Sequence, residues 1–82
     1  MDKIYFKGWS FEKQIFSASR EYYYWICVDL EEKKIICISK YLDGEKTKYE
    51  NTVDDLSLKL YIQDNEYRSN VASEEEFENA LI

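Results

Sequence analysis

The stretch Tyr22–Leu30, YYYWICVDL, decides how the chain is read. Tyr, Trp, Ile and Val dominate it, and such side chains suit a pleated surface. Alternation puts Tyr22, Tyr24, Ile26, Val28 and Leu30 on one face, and Tyr23, Trp25, Cys27 and Asp29 on the other. Both faces are largely apolar. A strand of this kind belongs in the middle of a sheet that is covered on both sides.

Working downstream, Glu31-Glu32-Lys33-Lys34 is a polar break, and Ile35–Leu42 is a second β-rich run. The two runs read as a hairpin. A turn centred on Glu32-Lys33 sets Cys27 against Ile38 and Val28 against Cys37, with the thiols on opposite faces. Asp43-Gly44 is a turn signal, because glycine tolerates positive φ, and Lys46–Glu50 returns as a third strand. Leu56–Ile62 alternates strictly: Leu56, Leu58, Leu60 and Ile62 against Ser57, Lys59, Tyr61 and Gln63. That period predicts a half-buried strand. Ser73 and Glu76 have capping-box spacing and open a C-terminal helix, with Phe77, Ala80 and Leu81 turned to the sheet.

Upstream, Lys3–Lys7 reads as a strand ending at Gly8. Ser10–Ser19 fits a short helix capped by Ser10, with Phe11, Ile15 and Ala18 on one face, and a strand is the competing reading. The expected fold is α+β, in one domain spanning residues 1–82. It has an antiparallel sheet of four or five strands, a C-terminal helix, and a short N-terminal helix as an optional element. A core of this size supports a stability of roughly 3–5 kcal/mol.

Composition narrows the chemistry. The 82 residues include no His, no Pro and only Gly8 and Gly44. The commonest general base and metal ligand is therefore missing, as is any glycine-rich phosphate loop. Asp29, Glu31 and Lys33 crowd one turn and read as a solvated loop rather than a metal-dependent nuclease site. Asp54-Asp55 reads as a solvated strand entry. Cys27 and Cys37 read as reduced, buried thiols. The expectation is a non-enzyme with no catalytic residues, no metal and no cofactor. The first twenty residues hold no apolar run of signal or membrane-span length, so a cytoplasmic protein is expected.

The net charge of −6 is unevenly placed. Residues 1–49 carry nine Lys/Arg and eight Asp/Glu, whereas residues 50–82 carry two and nine. Such a chain should avoid nucleic acid and anionic membranes and favour a basic protein partner. The carboxylates proposed for that contact are Asp54, Asp55, Asp64, Glu66, Glu74, Glu75 and Glu78. Eight tyrosines and two tryptophans exceed what so small a core can bury. Tyr49, Tyr61 and Tyr67, in polar segments, are the aromatic contact candidates; Tyr41 shares that setting. The alternative is a structural module that self-associates, as a homodimer, through an aromatic sheet face.

In layout the chain resembles small phage-borne inhibitor proteins, among them anti-CRISPR proteins. The resemblance rests on YYYWICVDL, KIICISKYLDG, DDLSLKLYIQ and the acidic tail SEEEFENALI. It implies a compact sheet with a helix, and an acidic protein that occupies the nucleic-acid groove of a partner such as a CRISPR nuclease. Toxin-neutralising immunity proteins share the same profile. The resemblance assigns no role to an individual residue.

Overall fold

The computed structural model describes residues 2–16 and 18–82. Strands β1 (Lys3–Glu12), β2 (Arg20–Asp29), β3 (Lys34–Tyr41) and β4 (Lys46–Thr52) follow one another as an antiparallel meander. Helix α1 (Asp55–Arg68), the two-residue strand β5 (Asn70–Val71) and helix α2 (Glu74–Leu81) complete the chain. The sheet order is β4-β3-β2-β1-β5, which makes β2 the central strand. The fold is α+β.

The two apolar faces of β2 are each covered by one helix. Phe6, Ile26, Val28 and Ile35 pack with Leu58 of α1. Cys27 and Ile38, on the other face, pack with Phe77 and Ala80 of α2. Side chains alternate along a strand, so α1 and α2 lie on opposite sides of the sheet.

Three expectations need correction. Leu56–Ile62 is helical, inside α1. Asp54 is its N-cap, not a strand entry, and accepts a hydrogen bond from the Ser57 N–H at 2.7 Å. That bond satisfies one of the orphan donors that a helix start creates. Second, β1 runs through Gly8 to Glu12, and residues 13–16, 18 and 19 are not helical. The ladder Trp9↔Tyr23, Ser10↔Tyr22, Phe11↔Glu21 and Glu12↔Arg20 gives these residues regular partners, which outweighs a local serine cap. Ser17, part of the expected helix, lies outside the described residues.

Third, the β2–β3 register differs by two residues from a turn centred on Glu32-Lys33. Cys27 faces Ile36, and Ile26 faces Cys37. The Asp29 carboxylate sets this register, because its Oδ1 accepts the N–H groups of both Glu31 and Glu32 at 3.1 and 3.0 Å. Lys33, at φ 55°, then closes the loop. A shift of two preserves parity, so the thiols stand on opposite faces as expected. Both cysteines are free.

Candidate partner-binding surfaces

The sequence of α1 explains its place and its misleading alternation. At 3.6 residues per turn, Leu58, Tyr61, Ile62 and Asn65 share one side of the helix. Leu58 and Asn65 are buried, and Tyr61 and Ile62 pack against the same core. Leu56, Leu60 and Tyr67 fall within about 40° of one another on the opposite side. They are 67%, 55% and 95% exposed. The helix thus carries two opposed apolar stripes, one docked on the sheet and one facing solvent. Such a helix has no net amphipathic direction, although two of its three leucines point at water.

The buried stripe holds a polar chain. Asn65 Nδ2 donates to the Tyr61 carbonyl at 3.0 Å, and its Oδ1 accepts from Ser69 Oγ at 2.8 Å. Ser69 Oγ also lies 2.6 Å from the Tyr24 hydroxyl. Buried polar groups need such partners. The Tyr24 ring reaches Ser69 by lying over Gly8, its cross-strand neighbour. Burial pushes the Tyr61 hydroxyl up to about 12. Tyr61 is half-buried and packs against the core, so less of it is open to a partner than its polar segment suggests.

Ion pairs flank the outer stripe. Lys33 Nζ meets Asp55 at 2.9 Å, and Arg68 meets Asp64 at 3.0 Å. Glu66 is exposed beside Tyr67. Asp54, Asp55, Asp64, Glu66 and Tyr67 thus belong to the α1 side. Tyr49, 58% exposed, stands opposite Cys37 and so shares that side. Glu74, Glu75 and Glu78 are exposed on α2, across the sheet. The candidate carboxylates therefore form two groups and not one acidic row.

The capping box of α2 is present as expected: Ser73 Oγ accepts from the Glu76 N–H, and Glu76 accepts from the Ser73 N–H. Glu76 also pairs with Lys7 on β1. Lys7, then the backbone of Ser73, hold the Glu76 carboxyl below the usual carboxylate range. A lowered folded-state pKa stabilises the fold above the unfolded value, and the contribution is lost as pH falls through the folded one. Glu76→Gln should therefore destabilise the protein at neutral pH and flatten its stability profile below about pH 5. Urea midpoints at several pH values check this, and an unchanged acid slope refutes it.

The far end of the sheet is open on the α2 side. Trp9, Phe11 and Tyr23 lie on that face, each about half exposed. Trp9 and Phe11 have ring centroids 6.4 Å apart, and Trp9 sits directly opposite Tyr23. Beside them Trp25 is half-buried, with Lys40 Nζ 5.5 Å from its ring centroid. A shallow hollow of about 230 Å³ opens here, lined by Lys7, Trp9, Tyr23, Trp25 and Asn70. On the α1 side of the same end, Arg20 bridges Asp43 and Glu45 with its guanidinium 4.0 Å from the Tyr41 ring centroid. Tyr41, half-buried, in turn donates to Glu12 at 2.9 Å.

The chemistry available is limited. Burial raises the pKa of both Cys27 and Cys37, which disfavours the nucleophilic thiolate. Asp29 is engaged by its own loop. Among the described residues no group of three or more Cys, Asp and Glu could hold a metal ion. No described helix is long and apolar enough to cross a membrane. Comparison with known proteins returns no matching family model, no similar curated protein and no similar solved structure.

Sequence reasoning missed Leu56 and Leu60, having assigned them to the buried face of a strand. The signal was available: Asp54 with Ser57 marks a helix start, and Leu56, Leu60 and Tyr67 recur at helical spacing. Trp9 and Phe11 were missed because Phe11 was assigned to a helix.

Proposed function

We propose that this chain is a non-enzymatic binding protein, and that a basic partner protein docks on the outward face of α1. The observation that carries the reading is the exposed stripe Leu56, Leu60 and Tyr67, set between the carboxylates Asp55, Asp64 and Glu66. A helix that presents apolar anchors at such spacing fits a hydrophobic groove. Asp55 and Asp64 are paired with Lys33 and Arg68, so it is Glu66, with no ion pair among the described residues, that adds steering toward a positive surface. A nucleic-acid-binding enzyme such as a CRISPR nuclease is the partner class that the layout resemblance supplies.

Leu60→Lys tests this, since Leu60 is exposed and its loss should leave the core intact. Capture from a lysate of the source organism is run with wild type and variant at low and high salt. A basic protein retained by wild type at low salt should be lost on the variant, and lost again at high salt. An anchor of this kind contributes about 2 kcal/mol, roughly a thirtyfold loss of affinity. Identical captures from both proteins overturn the reading.

A second reading is favoured by the open aromatic end. Trp9, Phe11 and Tyr23 would serve as a self-association face of an assembly module. Tyr23→Lys would then abolish any concentration-dependent mass, whereas Leu60→Lys would not.

A further inference from the structure

The edge strand β4 offers a different surface, made of backbone. All seven of its residues, Lys46–Thr52, are exposed, and among the described residues no strand pairs with its outer edge. Its hydrogen-bonding phase is fixed by its pairing with β3. The Tyr41 N–H donates to the Glu45 carbonyl, and the Val53 N–H to the Lys33 carbonyl. Pairs alternate between bonded and non-bonded along an antiparallel ladder. Thr47, Tyr49 and Asn51 therefore direct their N–H and C=O groups to β3. Lys46, Lys48, Glu50 and Thr52 direct theirs outward.

We infer that β4 pairs with β4 of a second copy, antiparallel, about a two-fold axis at Tyr49. In that register Lys48 lies opposite Glu50 of the second copy, and Lys46 opposite its Thr52. These are all residues with outward backbone groups, so every free donor and acceptor of the edge gains a partner. Tyr49 meets its own copy at a non-bonded position, where side chains approach most closely. The result is one continuous sheet running through both subunits.

Charge selects this register among those the backbone allows. A two-fold axis at Lys48 would set Lys48 against itself, and an axis at Glu50 would set Glu50 against itself. Like charges directly opposite are destabilising. Only the axis at Tyr49 pairs Lys48 with Glu50 twice. Among the described residues neither Lys48 nor Glu50 makes an ion pair within the chain. Lysines on an edge usually deter pairing with other chains. Here Glu50, two residues on, converts that deterrent into self-recognition. Lys46 does not interfere, because its Nζ is held by the Leu81 and Ile82 carbonyls at 2.8 and 3.0 Å.

The test is a charge exchange read by analytical ultracentrifugation from about 1 µM to about 1 mM. Wild type should pass from one to two chain masses across this range. Lys48→Glu and Glu50→Lys should each stay at one chain mass, with circular dichroism unchanged. Mixing the two variants should restore the double mass, because each supplies the charges that the other lacks. The double variant Lys48→Glu/Glu50→Lys should dimerise alone. Wild type that stays at one chain mass throughout overturns the proposal. So does a dimer that survives Glu50→Lys, or a mixture that stays monomeric. Loss of the dimer through Tyr23→Lys with Glu50→Lys silent would move the interface to the aromatic end, and this also overturns it.

Discussion

Phe6→Ala should leave the protein largely unfolded at 25 °C. Phe6 is 1% exposed and sits where β1 meets β2, opposite Ile26 and within the cluster that receives Leu58 of α1. Truncating a buried phenylalanine costs about 3–5 kcal/mol, through lost transfer energy and the cavity left behind. A domain of this size has about 3–5 kcal/mol in total. The two quantities are equal, so the folded fraction should collapse. Near-ultraviolet circular dichroism and urea unfolding check this. A variant with a cooperative transition, displaced by less than about 1 kcal/mol, would show that the α1-side cluster is not the main core.

Gly8→Ala should cost about 1–3 kcal/mol, the range for overpacking. A Cβ at Gly8 would stand 2.8 Å from Tyr24 Cε2, and nearer still to its Cζ and hydroxyl. The ring cannot yield without drawing its hydroxyl from Ser69, whose Oγ also serves the buried Asn65. The clash therefore reaches the C-terminal turn of α1. The rescue is specific. In a Tyr24→Ala background the added methyl group should have almost no further effect, so the two substitutions couple strongly in a double-mutant cycle. Additive effects would mean that the Tyr24 ring moves aside freely.

These two positions differ in how far the sequence discloses them. The centre of the fold was legible at Tyr22–Leu30, because a run that is apolar on both faces has only one comfortable place in a sheet. The α2 start was legible too, since Ser73 and Glu76 satisfy each other locally and need no tertiary partner. The role of Gly8 was not legible. It depends on a tyrosine sixteen residues away, and strand pairing alone brings the two together. Helix α1 was misread for a sharper reason. Its outward Leu56 and Leu60 interleave with its inward Leu58 and Ile62, so a helix with two apolar stripes imitates the period of a strand. The hydrophobic pattern was real, but half of it does not report burial.

The candidate surface was legible only as a list of charges. Asp54, Asp55, Asp64 and Glu66 fall together because one helix and its cap carry them. Glu74, Glu75 and Glu78 were joined to that group on sequence proximity. The intervening strand β5 then takes the chain across the sheet edge, and α2 comes to rest on the far side. Two residues of strand decide that partition, and nothing in Asn70-Val71 advertises it.

The meander precedes both of its covers in the chain, and this matters while the polypeptide is still being made. When Thr52 leaves the ribosome, β1–β4 can already pair, since each hairpin joins neighbours. Neither Leu58 nor Phe77 has yet arrived. A nascent chain at this stage shows Ile26, Val28 and Ile35 on one side, and Cys27 and Ile38 on the other. Unfinished sheets of this kind are prone to aggregate. Both faces of the sheet therefore stay uncovered until α1 and α2 have docked.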